Sequence, residues 1–293
     1  MRTRIKYSQN FLTNAGLVNN ILSKSSINHQ DTVLEIGAGE GIITQELLKR
    51  AKKVIAYEVD NNWYHKLSER FLKAGNKLEV IGANFLTVPL PNFPYKVFSN
   101  IPFNITADVI KKLVFSNNPP EDIYLITQKE AAAKFLGKPV GDKNSLLSIV
   151  IGNIFGGSVF YTFRKTNFSP IPAVDIVMLR LKRLERPHAE PPGLFSDFAA
   201  FGFSQFEPNI HKGLGKVMSE SLIVQTAKEN NFYPSYKPSK LDLKHWLALF
   251  NKFLANGNTQ KVAGSYKKIL LQQSKLQKVH RTRVDKNWKR FSE

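Results

Sequence analysis

Short apolar runs alternate with amphipathic stretches through roughly the first 180 residues of the chain. The runs are four or five residues long and rich in branched side chains, as in buried strands, whereas the stretches between them repeat apolar residues at helical spacing. Strands are predicted at 32–36, 54–57, 78–81, 95–99 and 123–127, and helices at 42–51, 61–73 and 105–115. This alternation is typical of a mainly parallel sheet with helices on both faces.

Two later apolar runs, 159–163 and 176–181, are separated by about a dozen residues that show no helical pattern. Adjacent parallel strands are usually joined through a helix, so these runs are predicted to form an antiparallel pair that closes the sheet. Beyond a proline-rich stretch that begins near Arg186, residues 194–256 again show helical spacing. The predicted fold class is therefore α/β, a Rossmann-like, seven-stranded, mostly parallel sheet with a small C-terminal all-helical domain.

The composition is strongly basic, with 42 Lys and Arg residues against 23 Asp and Glu residues and a formal net charge of +19. Folding does not require this excess, which favours a polyanionic partner, nucleic acid above all, although a generally basic proteome would produce it too. The chain has no cysteine and no histidines at metal-ligand spacing, which excludes disulfides, zinc ribbons and iron–sulfur clusters. No apolar run could span a membrane or serve as a signal peptide, so we expect a cytoplasmic protein without a metal or a membrane partner.

The last stretch of the chain, 259–293, holds ten Lys and Arg residues against two acids. It is predicted to be a basic helix or a tail that becomes ordered on RNA, with a solvated charge run as the alternative. The predicted domains are an α/β domain at 1–186, a helical domain at 187–258 and a basic extension at 259–293.

Glycines cluster directly after the first predicted strand, in the segment Glu35-Ile36-Gly37-Ala38-Gly39-Glu40-Gly41. Glycine there lets the backbone turn sharply and lets a ligand approach the main chain. A dinucleotide fingerprint needs a further glycine where Ile42 stands, so the segment resembles class I S-adenosyl-L-methionine (AdoMet) enzymes more closely. Glu58 ends the second strand, where a carboxylate can accept hydrogen bonds from both hydroxyls of a ribose. A glycine turn beside a solvent-facing acidic run is the alternative.

Asn84 ends the third predicted strand, where this fold usually carries an aspartate that accepts from the amino group of the cofactor adenine. The oxygen of an asparagine can still accept that hydrogen bond, but its amide adds a donor that must find a partner. The next backbone N–H, that of Phe85, can donate to the adenine ring. A strand-end asparagine in a turn is the alternative.

A polar amide, a proline and an aromatic ring follow the fourth strand, in the segment Asn100-Ile101-Pro102-Phe103. The amide offers an acceptor at the carboxyl edge of the sheet, and the proline stiffens the turn and removes one N–H. The aromatic ring offers a flat face. Together these groups predict a site for a planar base that carries an exocyclic amine.

Five segments, taken in order, resemble the rRNA adenine-N6 dimethyltransferases, the superfamily of the Erm enzymes of the large subunit and the KsgA-type enzymes of the small subunit. The segments are Gln9–Leu12, Glu35–Gly41, Glu58, Asn100–Phe103 and Phe168–Asp175. The resemblance covers residues 4–182 and is closer to Erm. It implies a class I AdoMet-dependent fold and mono- or dimethylation of an adenine N6 in 23S rRNA, with resistance to macrolides, lincosamides and streptogramin B as the consequence.

The resemblance also assigns roles to single residues. In the site of the cofactor AdoMet it places Gln9, Asn10, Leu12, Gly37, Gly39, Glu58, Asn84, Phe85 and Asn100. In the catalytic segment it places Asn100, Ile101, Pro102 and Phe103, and it stacks the rings of Phe103 and Phe168 on the two faces of the target adenine. The expected partner is rRNA, 23S first, bound by a monomer through the helical domain and the basic extension.

Three other functions are alternatives. One is a KsgA-type dimethyltransferase that acts on 16S rRNA in immature small subunits. Another is a nucleic-acid-binding relative that has lost catalysis, which Asn84 favours and the intact Glu58 and Asn100–Phe103 disfavour. A nicotinamide oxidoreductase is disfavoured by Ile42 in the glycine pattern and by the segment that precedes the first strand.

Overall fold

The computed structural model describes residues 10–137, 143–205 and 209–272. These residues form two compact units. The first contains the described residues up to Leu136 together with Phe155–Glu185, and the second contains those of Gly137–Ile154 and those from Arg186 onward. Gly137 and residues 143–154 were predicted within the first domain but group with the second unit. Gln9 and the part of the basic extension beyond residue 272 lie outside the described residues.

The strands of the first unit make one large sheet and one small one. They are β1 Phe11–Leu12, β2 Thr32–Ile36, β3 Lys53–Tyr57, β4 Leu78–Ile81, β5 Lys96–Asn100, β6 Asp122–Gln128, β7 Phe155–Thr162, β8 Phe168–Ser169 and β9 Ile176–Arg183. The large sheet has the order β4-β3-β2-β5-β6-β9-β7, and β1 pairs with β8. Strands β2 to β6 pair in parallel, whereas β9 runs antiparallel to β6 and β7. The predicted seven-stranded, mostly parallel sheet and its closing antiparallel pair are confirmed.

Two helices of the first unit begin at side-chain caps, and a third begins directly after a strand. The helices of this unit are α1 Ala15–Ser23, α2 Ile42–Leu48, α3 Asn61–Arg70, α4 Thr106–Val114 and α5 Lys129–Phe135. The Asn14 side chain accepts the N–H of Leu17 at the start of α1, and Asp60 accepts the N–H groups of Asn62 and Trp63 at the start of α3. Helices α2 and α3 each end three residues earlier than predicted. The last predicted residues of α3 instead begin a tight turn, Leu72–Lys77.

The parallel strands bring the predicted site to one edge of the sheet. Val33, Leu34, Val97 and Leu125 are fully buried, as expected for strands covered on both faces. The last residue of β2, Ile36, lies beside Tyr57 of β3, and Asn100 at the end of β5 lies beside Ile126. The glycine segment, Glu58 and the Asn100 segment therefore leave the sheet at the same edge, where ligands of open α/β sheets bind.

The second unit is helical and packs around aromatic side chains. Its helices are α6 Leu146–Ile154, α7 Pro192–Ser204, α8 Ile210–Leu214, α9 Glu220–Glu229, α10 Leu243–Asn256 and α11 Thr259–Val262. Phe198, Trp246 and Phe253 are fully buried, with the Phe198 and Phe253 rings stacked at a centroid distance of 4.6 Å. The predicted all-helical domain is confirmed, and among the described residues no helix is long and apolar enough to cross a membrane.

Candidate active site

The glycine segment forms a tight loop between β2 and α2. Gly37 and Gly39 have φ angles of 74° and 52°, in the left-handed region that side chains rarely adopt. The N–H of Gly37 donates to the Tyr57 carbonyl at 2.7 Å, which ties the loop to the end of β3. A Cβ on Gly37 would meet no atom within 4 Å, so open space lies directly beside this backbone.

That open space is a cavity lined by three parts of the first unit. The lining comes from the segment before α1, from the glycine loop, and from the segment after β5: Asn10, Phe11, Leu12, Glu35, Gly37, Ala38, Glu40, Ile42, Ile43, Asn100, Ile101, Pro102 and Phe103. The structure therefore brings Asn10, Leu12, Gly37 and Asn100 together at one cavity. Phe11 and Glu35 also line this cavity, although the sequence analysis gave neither a separate role.

Glu58 lies at the end of β3 with 4% of its surface exposed. One of its oxygens accepts the N–H of Gly39 at 2.9 Å, and the other accepts the N–H groups of Val59 and Asp60 at 2.8 and 2.9 Å. A carboxylate has about four acceptor positions, so one remains after these three hydrogen bonds. Glu58 thus holds the glycine loop and can still accept a hydroxyl.

Asn84 and Phe85 form the turn after β4. The side-chain oxygen of Asn84 accepts the N–H of Leu86 at 3.0 Å, so one of its acceptor positions serves the turn itself. The Phe85 ring is buried against Tyr57, at a centroid distance of 5.2 Å. Within the described residues, no acceptor takes the N–H of Phe85, which leaves this donor for a ligand.

Asn100 is oriented by the segment that precedes α1. Its amide nitrogen donates to the backbone carbonyl of Asn10 at 2.7 Å. Because a carbonyl can only accept, this contact fixes which end of the amide is the nitrogen, and it leaves the Asn100 oxygen as an acceptor. Asn10 in turn donates its own side-chain amide to the Pro170 carbonyl at 2.7 Å.

A second, larger cleft opens beside the first cavity, with a volume of about 530 Å³. It is lined by Phe103 and its neighbours and by the loop after β8: Asn10, Phe103, Asn104, Gln128, Pro170, Ile171, Pro172, Ala173 and Val174. Asn10 and Phe103 line both spaces, so the two spaces adjoin at these residues. The loop residues had been predicted only as part of a family segment, because a cleft between distant parts of the chain leaves no local sequence pattern.

Phe168 lies in the core of the first unit, with 2% of its surface exposed. Its ring packs edge-on against Phe163, at a centroid distance of 5.2 Å. It lines neither the cavity nor the cleft. The structure therefore brings Phe103 to the cleft but does not bring Phe168 there, and the stacking role of Phe168 requires its ring to turn out of the core.

Glu35 is a buried acid in the wall of the cavity, and it accepts the Thr44 hydroxyl at 2.5 Å. Burial raises the pKa of its carboxyl to about 8, with a smaller contribution from the charge of Glu58. The carboxyl is thus neutral at pH 7. Within the residues that the structure describes, no group of three His, Asp or Glu side chains could hold a metal ion.

The sequence is similar to those of known rRNA methyltransferases. The sequence profile of the family "Ribosomal RNA adenine dimethylase" matches residues 1–229. A ribosomal RNA small subunit methyltransferase A of Mycoplasmopsis pulmonis is 27% identical, over 85% of this chain and 98% of its own. A probable enzyme of the same name from Methanosarcina barkeri is 33% identical over 68% of each chain.

Two solved structures are similar in fold. The 23S rRNA methyltransferase ErmE has a TM-score of 0.73 and 26% identity, over 83% of this chain and 99% of its own. A dimethyladenosine transferase from Plasmodium falciparum has a TM-score of 0.65 and 24% identity, over 84% and 99% of the two chains. The predicted class I methyltransferase fold is confirmed. Because the family profile matches well over half of the chain, the protein belongs to the ribosomal RNA adenine dimethylase family.

Proposed function

We propose that this protein transfers a methyl group from AdoMet to N6 of an adenine in ribosomal RNA, once or twice, with 23S rRNA as the first candidate substrate. The observation that carries the proposal is the orientation of Asn100. Its amide nitrogen donates to the Asn10 carbonyl, and its oxygen remains an acceptor in the wall of the cavity, close in sequence to Phe103, where the cavity and the cleft adjoin. An acceptor there suits the exocyclic amine of a base.

The cavity and the turns beside it fit AdoMet. Gly37 borders space that any side chain would fill, so the main chain of the glycine loop can touch a ligand. The remaining acceptor position of Glu58 would take a ribose hydroxyl, and the N–H of Phe85 would donate to the adenine ring. Asn10, Leu12 and Asn100 would hold the methionine part, whereas Gln9 lies outside the described residues. When bound, AdoMet supplies an electrophilic methyl group on a positively charged sulfur.

The catalytic segment would make adenine N6 a better nucleophile. The lone pair of N6 is shared with the ring, so the nitrogen must become more tetrahedral before it can react. The side-chain oxygen of Asn100 and the backbone carbonyl of Ile101 would each accept one N6 hydrogen, which aims the lone pair and stabilises positive charge on nitrogen. The ring of Phe103 would stack on the base and favour the same charge.

No general base is required for this reaction. When the methyl group leaves sulfur and bonds to N6, the nitrogen carries a positive charge and is strongly acidic, so it can lose one of its protons to water. Alignment supplies most of the remaining rate enhancement, because the protein holds both reactants in place. The site accordingly presents acceptors and a ring, and its buried acid Glu35 is neutral at pH 7.

The net charge of +19 suits a phosphate backbone as the partner. Lysines of the helical unit and of the basic extension would bind phosphates, which gives affinity without reading sequence. The adenine must leave its stack to reach the cleft, and an unpaired adenine costs least to extract. We accordingly expect a cytoplasmic enzyme that acts on a loop or bulge of rRNA.

The choice of 23S rRNA rests on the Erm-like segments Gln9–Leu12 and Asn100–Phe103 and on the similarity to ErmE. Methylation there would add bulk and remove amino hydrogens where macrolides, lincosamides and streptogramin B bind, and would thus give resistance. A second candidate is 16S rRNA in small-subunit assembly, which the names of the two curated relatives favour.

The test uses labelled AdoMet with purified protein and, in separate reactions, protein-free 23S rRNA and immature small subunits. We expect label on a 23S adenine that is lost in Asn100→Ala and kept in Asn76→Ala, an exposed asparagine in the turn after α3. Label only on small subunits would replace the first candidate with the second. Tight RNA binding without label on either substrate would refute enzymatic activity and leave a binding protein.

A further inference from the structure

The loop Pro170–Val174, which lines the cleft, presents apolar side chains to solvent. Ile171 is 67% exposed and Val174 is 41% exposed. Most large apolar side chains of the described residues are buried, so exposed ones that converge at a cleft suggest a contact surface. The loop contains no charged residue between Ser169 and Asp175, which keeps this surface apolar.

Hydrogen bonds at both ends hold the loop in this position. Asn10 donates to the Pro170 carbonyl at 2.7 Å, and the Lys165 ammonium donates to the Ala173 carbonyl at 2.8 Å. The N–H of Lys129 donates to the Asp175 carbonyl at 2.9 Å. Pro170 and Pro172 restrict φ on either side of Ile171, and Pro172 is buried. The Ile171 side chain is therefore presented by a stiff loop and cannot easily fold back on the protein.

Charged side chains flank the apolar tip. A neighbouring pocket shares Gln128, Ala173 and Val174 with the cleft and is also lined by Lys129, Glu130, Lys165 and Asp175. Arg164 is exposed next to Lys165. The three basic residues outnumber the two acidic ones, so the net charge around the apolar loop is positive. This combination suits nucleic acid, because bases pack on apolar groups while phosphates pair with cations.

We propose that Ile171 acts as a wedge that packs against the bases flanking the target adenine. When the adenine turns into the cleft, the Ile171 side chain contacts the base surfaces on which the adenine had stacked. The inference rests on the proposed function and deepens it, because it names how the RNA is opened. A stiff, branched, apolar side chain beside the entrance can replace part of the lost stacking, as apolar wedges do in proteins that unstack nucleic acid. The contribution of Ile171 should therefore be large for a paired adenine and small for one already unpaired.

The test compares the wild type with Ile171→Ala on two RNA hairpins that carry the target adenine either paired or as a single-nucleotide bulge. We expect single-turnover methyl transfer to fall about tenfold on the paired adenine and less than about twofold on the bulge, since only the paired base must be unstacked. Ile171→Val, which keeps a branched side chain, should recover most of the rate. The control is Leu72→Ala, another exposed apolar residue (77%) that does not line the cleft, and it should behave as the wild type.

Fluorescence of 2-aminopurine at the target position gives a readout that does not depend on methyl transfer. It should rise when the wild type binds the paired hairpin and rise much less with Ile171→Ala. Equal rates and equal fluorescence on the paired hairpin would overturn the wedge, and so would an equal loss on both hairpins, which indicates a general defect. If no protein methylates either RNA, the proposed function fails, while the fluorescence difference still decides the role of Ile171.

Discussion

Asn100 and Asn10 are joined by a hydrogen bond of 2.7 Å that selects one of the two orientations of the Asn100 amide. The sequence shows only that an amide ends β5, and either orientation is possible there. The contact with the Asn10 carbonyl makes the oxygen the free group, so Asn100 can accept from an amine. The residues before α1 thereby orient the Asn100 amide and also form part of the wall of the cavity.

Gly37 offers a direct test of the cofactor site. In Gly37→Ala a methyl group would enter the open space beside the loop, so AdoMet binding should weaken by more than about tenfold. The φ of 74° should cost only about 1–2 kcal/mol in stability. Calorimetric titration with AdoMet and thermal unfolding measure the two effects separately.

Gly75 provides the matched control for that variant. Its φ of 52° is also positive, and a Cβ there would likewise meet no atom within 4 Å, but it lies in the turn after α3 and does not line the cavity. Gly75→Ala should also lose stability, because its φ of 52° and ψ of −137° suit only glycine, but it should bind AdoMet normally. Equal affinities for the two variants would place the ligand elsewhere.

Glu35 should make stability depend on pH. Its pKa is raised from 4.5 to about 8 by burial, so between these values the unfolded chain has lost a proton that the folded protein keeps. Stability therefore falls as pH rises from about 4.5 to 8, by about 1.4 kcal/mol per pH unit at most, and is flat outside this window. Glu35→Gln, which stays neutral, should remove this dependence.

Thermal unfolding of the wild type and of Glu35→Gln between pH 5 and pH 8 tests whether stability falls as pH rises. The advantage of the variant should grow with pH, while Glu40→Gln, at an exposed position of the same loop, should follow the wild type. A variant whose advantage is constant or shrinks with pH would show that Glu35 is charged in the folded protein.

At the scale of elements, α4 is attached to the turn after β4 by one side chain. The Lys112 ammonium donates to the carbonyls of Phe85 and Val88 and lies 4.8 Å from the centre of the Phe85 ring. Burial lowers the pKa of this ammonium. Because α4 follows the catalytic segment, Lys112 connects that segment to the turn that would hold the cofactor adenine.

Lys112→Met should loosen the turn and raise the KM for AdoMet several-fold with little change in kcat, since the groups that touch N6 stay in place. Lys112→Arg, which keeps the donor, should recover part of the affinity. Lys111→Met on the same helix is the control. A fall in kcat with an unchanged KM for AdoMet would mean that Lys112 supports the catalytic segment and not the cofactor.

Some strands and helices could be predicted from the sequence and others could not. The parallel strands were predicted well, because burial on both faces leaves a continuous apolar run. Helix α6 was missed, because Leu146–Ile154 is apolar on nearly every side and shows no helical repeat. The cleft was missed as well, since it forms where Asn10, Phe103 and the loop Pro170–Val174 meet, and only the fold brings these segments together.

At the scale of the whole molecule, the net charge of the sequence predicts a polyanionic partner, and the pattern of apolar residues predicts the fold. The position of Phe168 could not be predicted and is known only from the structure. Residues 168–175 were known only as a family segment, and β8 pairing with β1 places Phe168 opposite Leu12, inside the core. Pairing of two short, distant strands leaves little signal in either one. The same pairing carries the following loop, with Ile171, to the cleft.

If Asn100 accepts hydrogen from the target amine, the protein should methylate N6 of an rRNA adenine, and this activity should depend on Asn100. The most direct measurement is mass spectrometry of nucleosides from rRNA that has been treated with the protein and AdoMet, for the wild type, Asn100→Ala and Asn76→Ala. At a saturating concentration of AdoMet, we expect N6-methylated adenosine with the wild type and Asn76→Ala, and at least about a hundredfold less with Asn100→Ala. Methylation at another atom, or an active Asn100→Ala, would contradict this expectation.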